Sequence, residues 1–189
     1  MTTSIIIPAR YGSSRYRGKP LVKILGREMV LRVADICKKI KNVKVFIATD
    51  SKKIANVAKK NGYDYIFTSS ACLTGTDRVA EASKKIRSKI YINVQGDEPT
   101  IDPSDIMKVI NAKKKFPHHV ICGYDKVHDF EKAESPNLPK VVVNSKGELI
   151  YISRALVPGS KKKNQKIQYH KQVCIYAFNK KELDFFKRL

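Results

Sequence analysis

The chain has 189 residues, enough for one domain with a substantial apolar core. Its 38 basic and 17 acidic residues give a formal net charge of +21, which fits a nucleic-acid binder, a solvated lysine-rich surface or attraction of small phosphorylated anions. No apolar run is long enough to span a bilayer, and MTTSIIIPAR is not typical of a signal peptide. Four widely spaced cysteines without a CxxC motif argue against metal or disulfide pairing and favour a cytoplasmic location.

Strand-like and helix-like segments alternate through the first half of the chain. Short β-branched or aromatic runs predict strands at 4–8, 43–49, 63–67 and 89–95. Apolar residues at helical spacing predict helices at 28–41, 51–61 and 76–88. Either Asp50 or Ser51 can cap the second of these helices. Because strands separated by helices require crossover connections, we expect an α/β fold class with a mostly parallel sheet sandwiched by helices.

The segments after residue 110 follow a different pattern. They predict strands at 120–127 and 173–178 and a hairpin at 140–144 with 148–153. A polar arm is predicted at 158–168. Asp102 and Pro103 are typical of a helix N-cap and first helical residue, and another helix begins near residue 180. We therefore expect one domain, residues 1–189, in which residues 120–178 contain an added β lobe.

A basic, glycine-containing loop follows the first strand. This stretch, RYGSSRYRGKP, spans residues 10–20. Ligands of open α/β sheets bind beyond the carboxyl ends of the strands, where this loop is expected to lie. Its glycines would let backbone N–H groups approach phosphate oxygens, and its basic side chains supply charge. Because the spacing matches neither a Walker A loop nor GxGxxG, the residues alone leave both a phosphate loop and an exposed basic turn open.

Two adjacent carboxylates follow the fourth strand, in the stretch NVQGDEP at 93–99. If the backbone is extended, Asp97 and Glu98 point in opposite directions, so one of them can face the edge of the sheet. A carboxylate there, opposite a phosphate loop, would hold a magnesium ion against a triphosphate. The alternative is a turn that caps the next helix.

Taken together, the segments IIPAR, GKPL, ATD, TGTDR and NVQGDEP resemble the sugar-acid cytidylyltransferases, most closely the 3-deoxy-manno-octulosonate (Kdo) group. The N-acylneuraminate enzymes share the early loop but match the later segments less well. The resemblance implies a nucleotide-diphospho-sugar transferase (Rossmann-like) fold and transfer of CMP from CTP to a 2-keto-3-deoxy sugar acid, with release of pyrophosphate. It also implies Mg2+ as cofactor, a role in lipopolysaccharide biosynthesis and a homodimer formed through the added lobe, with neither nucleic acid nor membrane as partner.

The resemblance also implies roles for particular residues. Binding of the nucleotide is implied for Ala9, Arg10, Gly12, Ser13, Lys19, Thr74, Gly75 and Thr76. Binding of the sugar acid is implied for Gln95, Arg154, Gln172 and Tyr176. Asp97 is implied as the magnesium ligand. The residues with an implied catalytic role are Arg10, Lys19 and Asp97. For Arg154, whose guanidinium would pair with the sugar carboxylate, a surface arginine after the hairpin is the alternative.

Three features depart from the family pattern. Tyr16 and Arg17 replace the usual leucine and proline, and Gln172 stands where the family has a sugar-contacting histidine. The second metal-binding aspartate of the family has no counterpart, so we expect a fragment or a chain that has lost this ligand, with weak magnesium binding and poor turnover. The alternatives are a catalytically impaired nucleotide-binding homologue, an enzyme for another sugar acid such as a nonulosonate, and a basic RNA- or DNA-binding domain.

Overall fold

The computed structural model describes residues 2–12, 16–161 and 167–186. The chain forms two compact units, one from Met1–Ile121 with Ile175–Leu189 and one from Cys122–Cys174. Within the described ranges, no helix combines the length and the apolar character needed to cross a membrane.

The first unit contains most of the secondary structure. Its strands are β1 (Thr3–Ala9), β2 (Lys23–Ile24), β3 (Arg27–Glu28), β4 (Val43–Thr49), β5 (Asp64–Phe67) and β6 (Ile90–Val94). Its α-helices are α1 (Met29–Lys38), α2 (Lys52–Lys60), α3 (Gly75–Ser83), α4 (Pro103–Lys115) and α5 (Lys180–Phe186). A 3-10 helix, Lys19–Leu21, lies between β1 and β2.

The remaining strands lie largely in the second unit. They are β7 (Ile121–Lys126), β8 (Lys140–Val143), β9 (Leu149–Ser153) and β10 (His170–Phe178). β8 and β9 form the predicted antiparallel hairpin, with Gly147 at a positive φ of 78° in its turn. The last four residues of β10 belong to the first unit, where they pair antiparallel with β6.

The main sheet of the first unit has the strand order β5-β4-β1-β6-β10, and its first four strands are parallel. β1 is buried along its whole length, as expected for a strand covered by helices on both faces. Pairing of β1 with both β4 and β6 places the carboxyl ends of three strands at the same edge. The basic loop, Asp50 and the last five residues of the NVQGDEP stretch each follow one of these strands.

The predicted helix boundaries differ in detail from the structure, as for the helix predicted at 28–41, which spans Met29–Lys38. The helix predicted at 76–88 ends at Ser83, because residues 84 and 85 continue it only as turns. Ser51 is the N-cap of α2 but its side chain makes no cap hydrogen bond, and Asp50 is engaged elsewhere. The predicted cap of α4 is confirmed, since the carboxylate of Asp102 accepts a hydrogen bond from the backbone N–H of Ser104 at 2.7 Å.

Candidate active site

A polar pocket of about 360 Å³ lies at the carboxyl edge of the parallel strands in the first unit. It is bounded by the segments that follow β1 and β6 and by the N-terminal end of α3. The predicted site residues that line it are Ala9, Arg10, Lys19, Thr74, Gly75, Gln95 and Asp97. The volume is at the small end of the range for ligand pockets. The structure therefore brings together residues that are up to 88 positions apart in the sequence.

An ion pair joins the two stretches that the sequence singled out. The ammonium Nζ of Lys19 lies 2.6 Å from Oδ2 of Asp97. The two side chains are 39% and 46% exposed, so both groups remain accessible from the pocket. Gly18, directly before Lys19, has φ 78° and caps the 3-10 helix, a backbone conformation that favours glycine. The basic loop and the NVQGDEP stretch thus meet at this ion pair.

Arg10 and the start of α3 form the opposite wall. The Nη1 group of Arg10 donates to the carbonyl of Leu73 at 3.5 Å, which holds the guanidinium over the segment that leads into α3. Thr74 caps α3 in a capping box: its hydroxyl accepts from the N–H of Asp77, whose carboxylate accepts from the N–H of Thr74. The positive end of a helix at this wall favours an anionic ligand.

Gly75 is required by close packing against Gln95. A Cβ atom at position 75 would lie 2.9 Å from both the nitrogen and the oxygen of the Gln95 amide and 3.2 Å from the ring of Pro8. A Cβ atom at Gly96 would lie 2.9 Å from the carbonyl oxygen of Pro8. These glycines therefore let the ends of β1 and β6 approach α3, and they bring the Gln95 amide into the pocket.

The structure places Thr76 and Tyr176 at a different cavity, of about 930 Å³, that is also lined by Phe178, Phe185 and Phe186. Thr76 follows Gly75, and one step along a helix turns the side chain by about 100°. Its hydroxyl accepts a hydrogen bond from the buried Asn93 amide at 3.5 Å. Thr76 therefore does not line the pocket that Lys19 and Asp97 line.

The other predicted site residues have the following positions. Gly12 is exposed and does not line the pocket, and Ser13 lies outside the described residues. Arg154 belongs to the second unit, where it donates to the carbonyl of Pro136 at 2.6 Å. Gln172 is in the same unit, and its amide contacts the sulfur of Cys122 at 3.8 Å. The sugar-binding roles of Arg154 and Gln172 stay predictions.

Glu98 lies beside the Lys19–Asp97 pair. Burial raises the pKa of Glu98 above its ordinary value, the charge of Asp97 raises it further, and Lys19 opposes the shift. Over residues 2–12, 16–161 and 167–186, no three His, Cys, Asp or Glu side chains cluster as a metal site. A metal ion in this pocket would therefore rely on one or two protein carboxylates and on oxygens of a ligand.

Sequence reasoning did not assign three residues at the pocket or in contact with its lining. Arg78, on α3, lines the pocket although only 2% of its side chain is exposed, and it forms an ion pair with Asp50. Both residues end motifs that were recognised, TGTDR and ATD. Their pairing joins positions 28 apart in different elements, which spacing alone does not reveal. Tyr16 also lines the pocket, at a position where the chain departs from the family pattern.

A mostly parallel sheet with a basic, carboxylate-bearing pocket at its carboxyl edge is typical of α/β proteins that bind phosphorylated ligands. The chain belongs to the cytidylyltransferase family, whose family model matches residues 4–189. This result confirms the predicted family and the prediction of a cytidylyltransferase fold and enzyme class.

Among the relatives is the mitochondrial 3-deoxy-manno-octulosonate cytidylyltransferase of Arabidopsis thaliana, which is 39% identical over 97% of this chain and 65% of its own length. The 3-deoxy-manno-octulosonate cytidylyltransferase of Escherichia coli is 35% identical over 98% of this chain and 75% of its own length. The chain thus spans about two thirds to three quarters of the length of these relatives.

Solved structures give the same result for the fold. A CMP:2-keto-3-deoxy-manno-octonic acid synthetase complexed with CTP superimposes with a TM-score of 0.92 at 35% identity, over 100% of this chain and 78% of that one. A cytidylyltransferase from Leptospira borgpetersenii has a TM-score of 0.63 at 19% identity, over 100% of this chain and 65% of that one, and supports the fold alone. The predicted α/β fold with a mostly parallel sheet is confirmed.

Proposed function

We propose that this chain transfers CMP from CTP to a 2-keto-3-deoxy sugar acid of the Kdo type and releases pyrophosphate. The observation that carries the proposal is the meeting of Lys19 and Asp97 in a pocket at the carboxyl edge of the sheet that Arg10 also lines. The similarity to 3-deoxy-manno-octulosonate cytidylyltransferases and to a synthetase complexed with CTP supports CTP as the nucleotide and Kdo as the acceptor.

The reaction needs positioning and charge stabilisation more than a protein nucleophile. The anomeric hydroxyl of the sugar acid attacks the α-phosphorus of CTP, its proton is released, and the bond to the β-phosphate oxygen breaks so that pyrophosphate leaves in line. Negative charge grows on the leaving group. The guanidinium of Arg10 and the ammonium of Lys19 are in the pocket to stabilise that charge, and the N-terminal end of α3 favours the anion further.

Magnesium is the proposed cofactor, and the donor set of the pocket fits it. Magnesium is commonly bound by one or two carboxylates together with substrate phosphates, while it keeps several waters. Asp97 is the half-exposed carboxylate at the pocket, with Glu98 as its neighbour. When bound, the ion would neutralise charge on the phosphate oxygens. In its presence Asp97 would exchange the ammonium of Lys19 for the metal, which would free Lys19 for the triphosphate.

For the remaining predicted residues we propose binding roles that follow the family resemblance. Ala9, Thr74 and Gly75 would face the cytidine, and the amide of Gln95 would reach the hydroxyls of the sugar acid. Arg154, Gln172 and Tyr176 stay proposed sugar contacts through the resemblance. The acceptor could differ from Kdo because Gln172 stands in place of the expected histidine.

A homodimer is proposed through the lobe at 120–178, together with a cytoplasmic location. β9 supports the dimer, because Leu149, Ile150 and Tyr151 are all more than half exposed on this strand. Consecutive residues of a strand face opposite sides, so apolar side chains are exposed on both faces of β9. An exposed apolar strand of this kind is typical of an interface with another chain.

The test is release of pyrophosphate from CTP and magnesium with Kdo, with a nonulosonate and without a sugar acid. Release that requires Kdo supports the proposal, and release with the nonulosonate alone would change the acceptor. Binding of CTP without release for any sugar acid would favour the catalytically impaired homologue. Retention on heparin at moderate salt without CTP binding would favour a nucleic-acid binder.

A further inference from the structure

A buried ion pair at the wall of the pocket, Arg78–Asp50, has no role in the chemistry described so far. On α3, Arg78 is 2% exposed, and Asp50, directly after β4, is 16% exposed. The Nη2 group of Arg78 lies 3.1 Å from Oδ2 of Asp50, and its Nη1 group donates to the hydroxyl of Thr68. Both ends of the guanidinium are thus engaged, so Arg78 is held in one position and has little freedom to follow a ligand.

The second oxygen of Asp50 reaches the basic loop. Oδ1 of Asp50 accepts a hydrogen bond from the backbone N–H of Tyr11 at 3.4 Å. The carbonyl of Tyr11 in turn accepts from the N–H of Gly18 at 2.8 Å. Tyr11 and Gly18, which we call the neck of the loop, therefore bring the two ends of the loop together. Arg10 precedes the neck and Lys19 follows it.

The side chain of Tyr11 reinforces this closure. A Cβ atom at Gly18 would lie 3.2 Å from the ring of Tyr11, so the ring lies directly against the glycine. The guanidinium of Arg17 lies 5.7 Å from the ring centroid and the ammonium of Lys53 lies 5.2 Å from it. Cations at such distances are attracted to the face of an aromatic ring. The neck is thus held by backbone hydrogen bonds and by ring contacts.

We propose that Asp50 and Arg78 are positioning residues that hold the neck, and through it set the places of the Arg10 guanidinium and the Lys19 ammonium relative to CTP. This inference rests on the proposed function. A buried ion pair is often replaceable by apolar side chains without loss of stability, so stability alone is a weak reason for this pair. Its additional hydrogen bond to Tyr11 gives it a use that an apolar pair would lack.

The experiment compares two buried pairs that are matched in burial. Asp50→Leu with Arg78→Met removes both charges and the acceptor for the N–H of Tyr11. Asp50→Asn with Arg78→Met removes the charges but keeps an acceptor oxygen. The control is Lys113→Met with Glu182→Leu, because that pair is 1% and 15% exposed and neither residue lines the pocket that Lys19 and Asp97 line. Thermal denaturation of each variant establishes that it folds.

Steady-state release of pyrophosphate and amide hydrogen exchange are then measured. For the double substitution Asp50→Leu with Arg78→Met we expect a fall of about 100-fold in kcat/KM, most of it in kcat, because small misplacements of charged groups are costly. The amides of Tyr11 and Gly18 lose protection in the same variant. The variant with Asp50→Asn recovers part of the rate and of the protection, and the control pair changes neither.

Retention of kcat in the variant with Asp50→Leu, at the level of the control, would overturn the proposal. So would a loss of kcat while Tyr11 and Gly18 stay protected, since the loss would then not pass through the neck. If the unmodified chain releases no pyrophosphate with any sugar acid, the proposed function fails. The hydrogen-exchange data alone then decide whether the Asp50–Arg78 pair holds the neck. Lost protection at the neck then supports the structural role of the pair, and unchanged protection overturns it.

Discussion

Two lysine–carboxylate pairs in the first unit have the same length and different surroundings. Lys19–Asp97, at the pocket, and Lys113–Glu182, between α4 and α5, both have an N–O distance of 2.6 Å. The pocket pair is 39% and 46% exposed, whereas the other pair is 1% and 15% exposed. Distance therefore does not distinguish a pair that can serve a ligand from one that serves the fold.

The two ion pairs also differ in the number of additional hydrogen bonds that their side chains make. Lys113 also donates to the carbonyl of His119, and Glu182 also accepts from the backbone and the amide of Asn179. A buried, fully hydrogen-bonded pair of this kind is costly to break. Lys19 and Asp97 have solvent within reach instead, so exchange of one partner for a phosphate or a metal ion costs little. The following predictions test this difference.

The largest effect is expected from Asp97→Asn. The change keeps the shape of the side chain but removes the charge that would hold magnesium, so we expect kcat to fall about 100- to 1000-fold without loss of thermal stability. Pyrophosphate release and thermal denaturation measure both. Asp105→Asn is the matched control, because Asp105 forms an exposed pair with Lys108 on α4. Equal turnover in the two variants would remove Asp97 from the reaction.

Lys113→Met is expected to act on stability instead. It leaves the carboxylate of Glu182 buried without its ammonium partner, which costs about 3–5 kcal/mol of unfolding free energy. Urea denaturation measures the loss, and the folded fraction should keep its kcat. The control Lys108→Met breaks an exposed pair and should cost at most about 1 kcal/mol. Similar losses in both variants would contradict the distinction drawn from burial.

A smaller effect is expected from Gly75→Ala, at the wall of the pocket. The added Cβ would displace the amide of Gln95 from its place in the pocket, so we expect roughly a tenfold fall in kcat/KM, the rate equivalent of about 1.4 kcal/mol. Gly159→Ala is the control, because no atom lies within 4 Å of its added Cβ. An unchanged rate for Gly75→Ala would mean that Gln95 need not stay where it is.

The smallest effect concerns an ion pair of the second unit, Lys171–Glu131. Burial raises the pKa of Glu131, but hydrogen bonds from Lys171 and from the backbone of His128 outweigh it, so the pKa is lowered overall. Stability from this pair is therefore present above the ordinary pKa of 4.5 and is lost as pH falls through the lowered value. Glu131→Gln should flatten the acid side of a thermal-midpoint profile, and an unaltered profile would contradict this assignment.

The meeting of Lys19 and Asp97 could be anticipated from the sequence because both follow strands of one parallel sheet. The buried run of β1 predicted a central strand, and carboxyl ends of parallel strands share an edge. The side of α3 that Thr76 faces could not be predicted with the same accuracy. A shift of one residue along a helix turns a side chain by about 100°, so it decides whether the side chain faces the pocket. The pairing of Asp50 with Arg78 depends on how β4 and α3 pack, which no local pattern encodes.

The most direct test of the pocket is the affinity of CTP for the unmodified chain and for Asp97→Asn, each with magnesium and with EDTA. In EDTA, the variant should bind CTP more tightly than the unmodified chain, because Lys19 is released and a negative charge near the phosphates is gone. With magnesium, the unmodified chain should gain affinity and the variant should not. Identical affinities of the two proteins in both buffers would contradict the account.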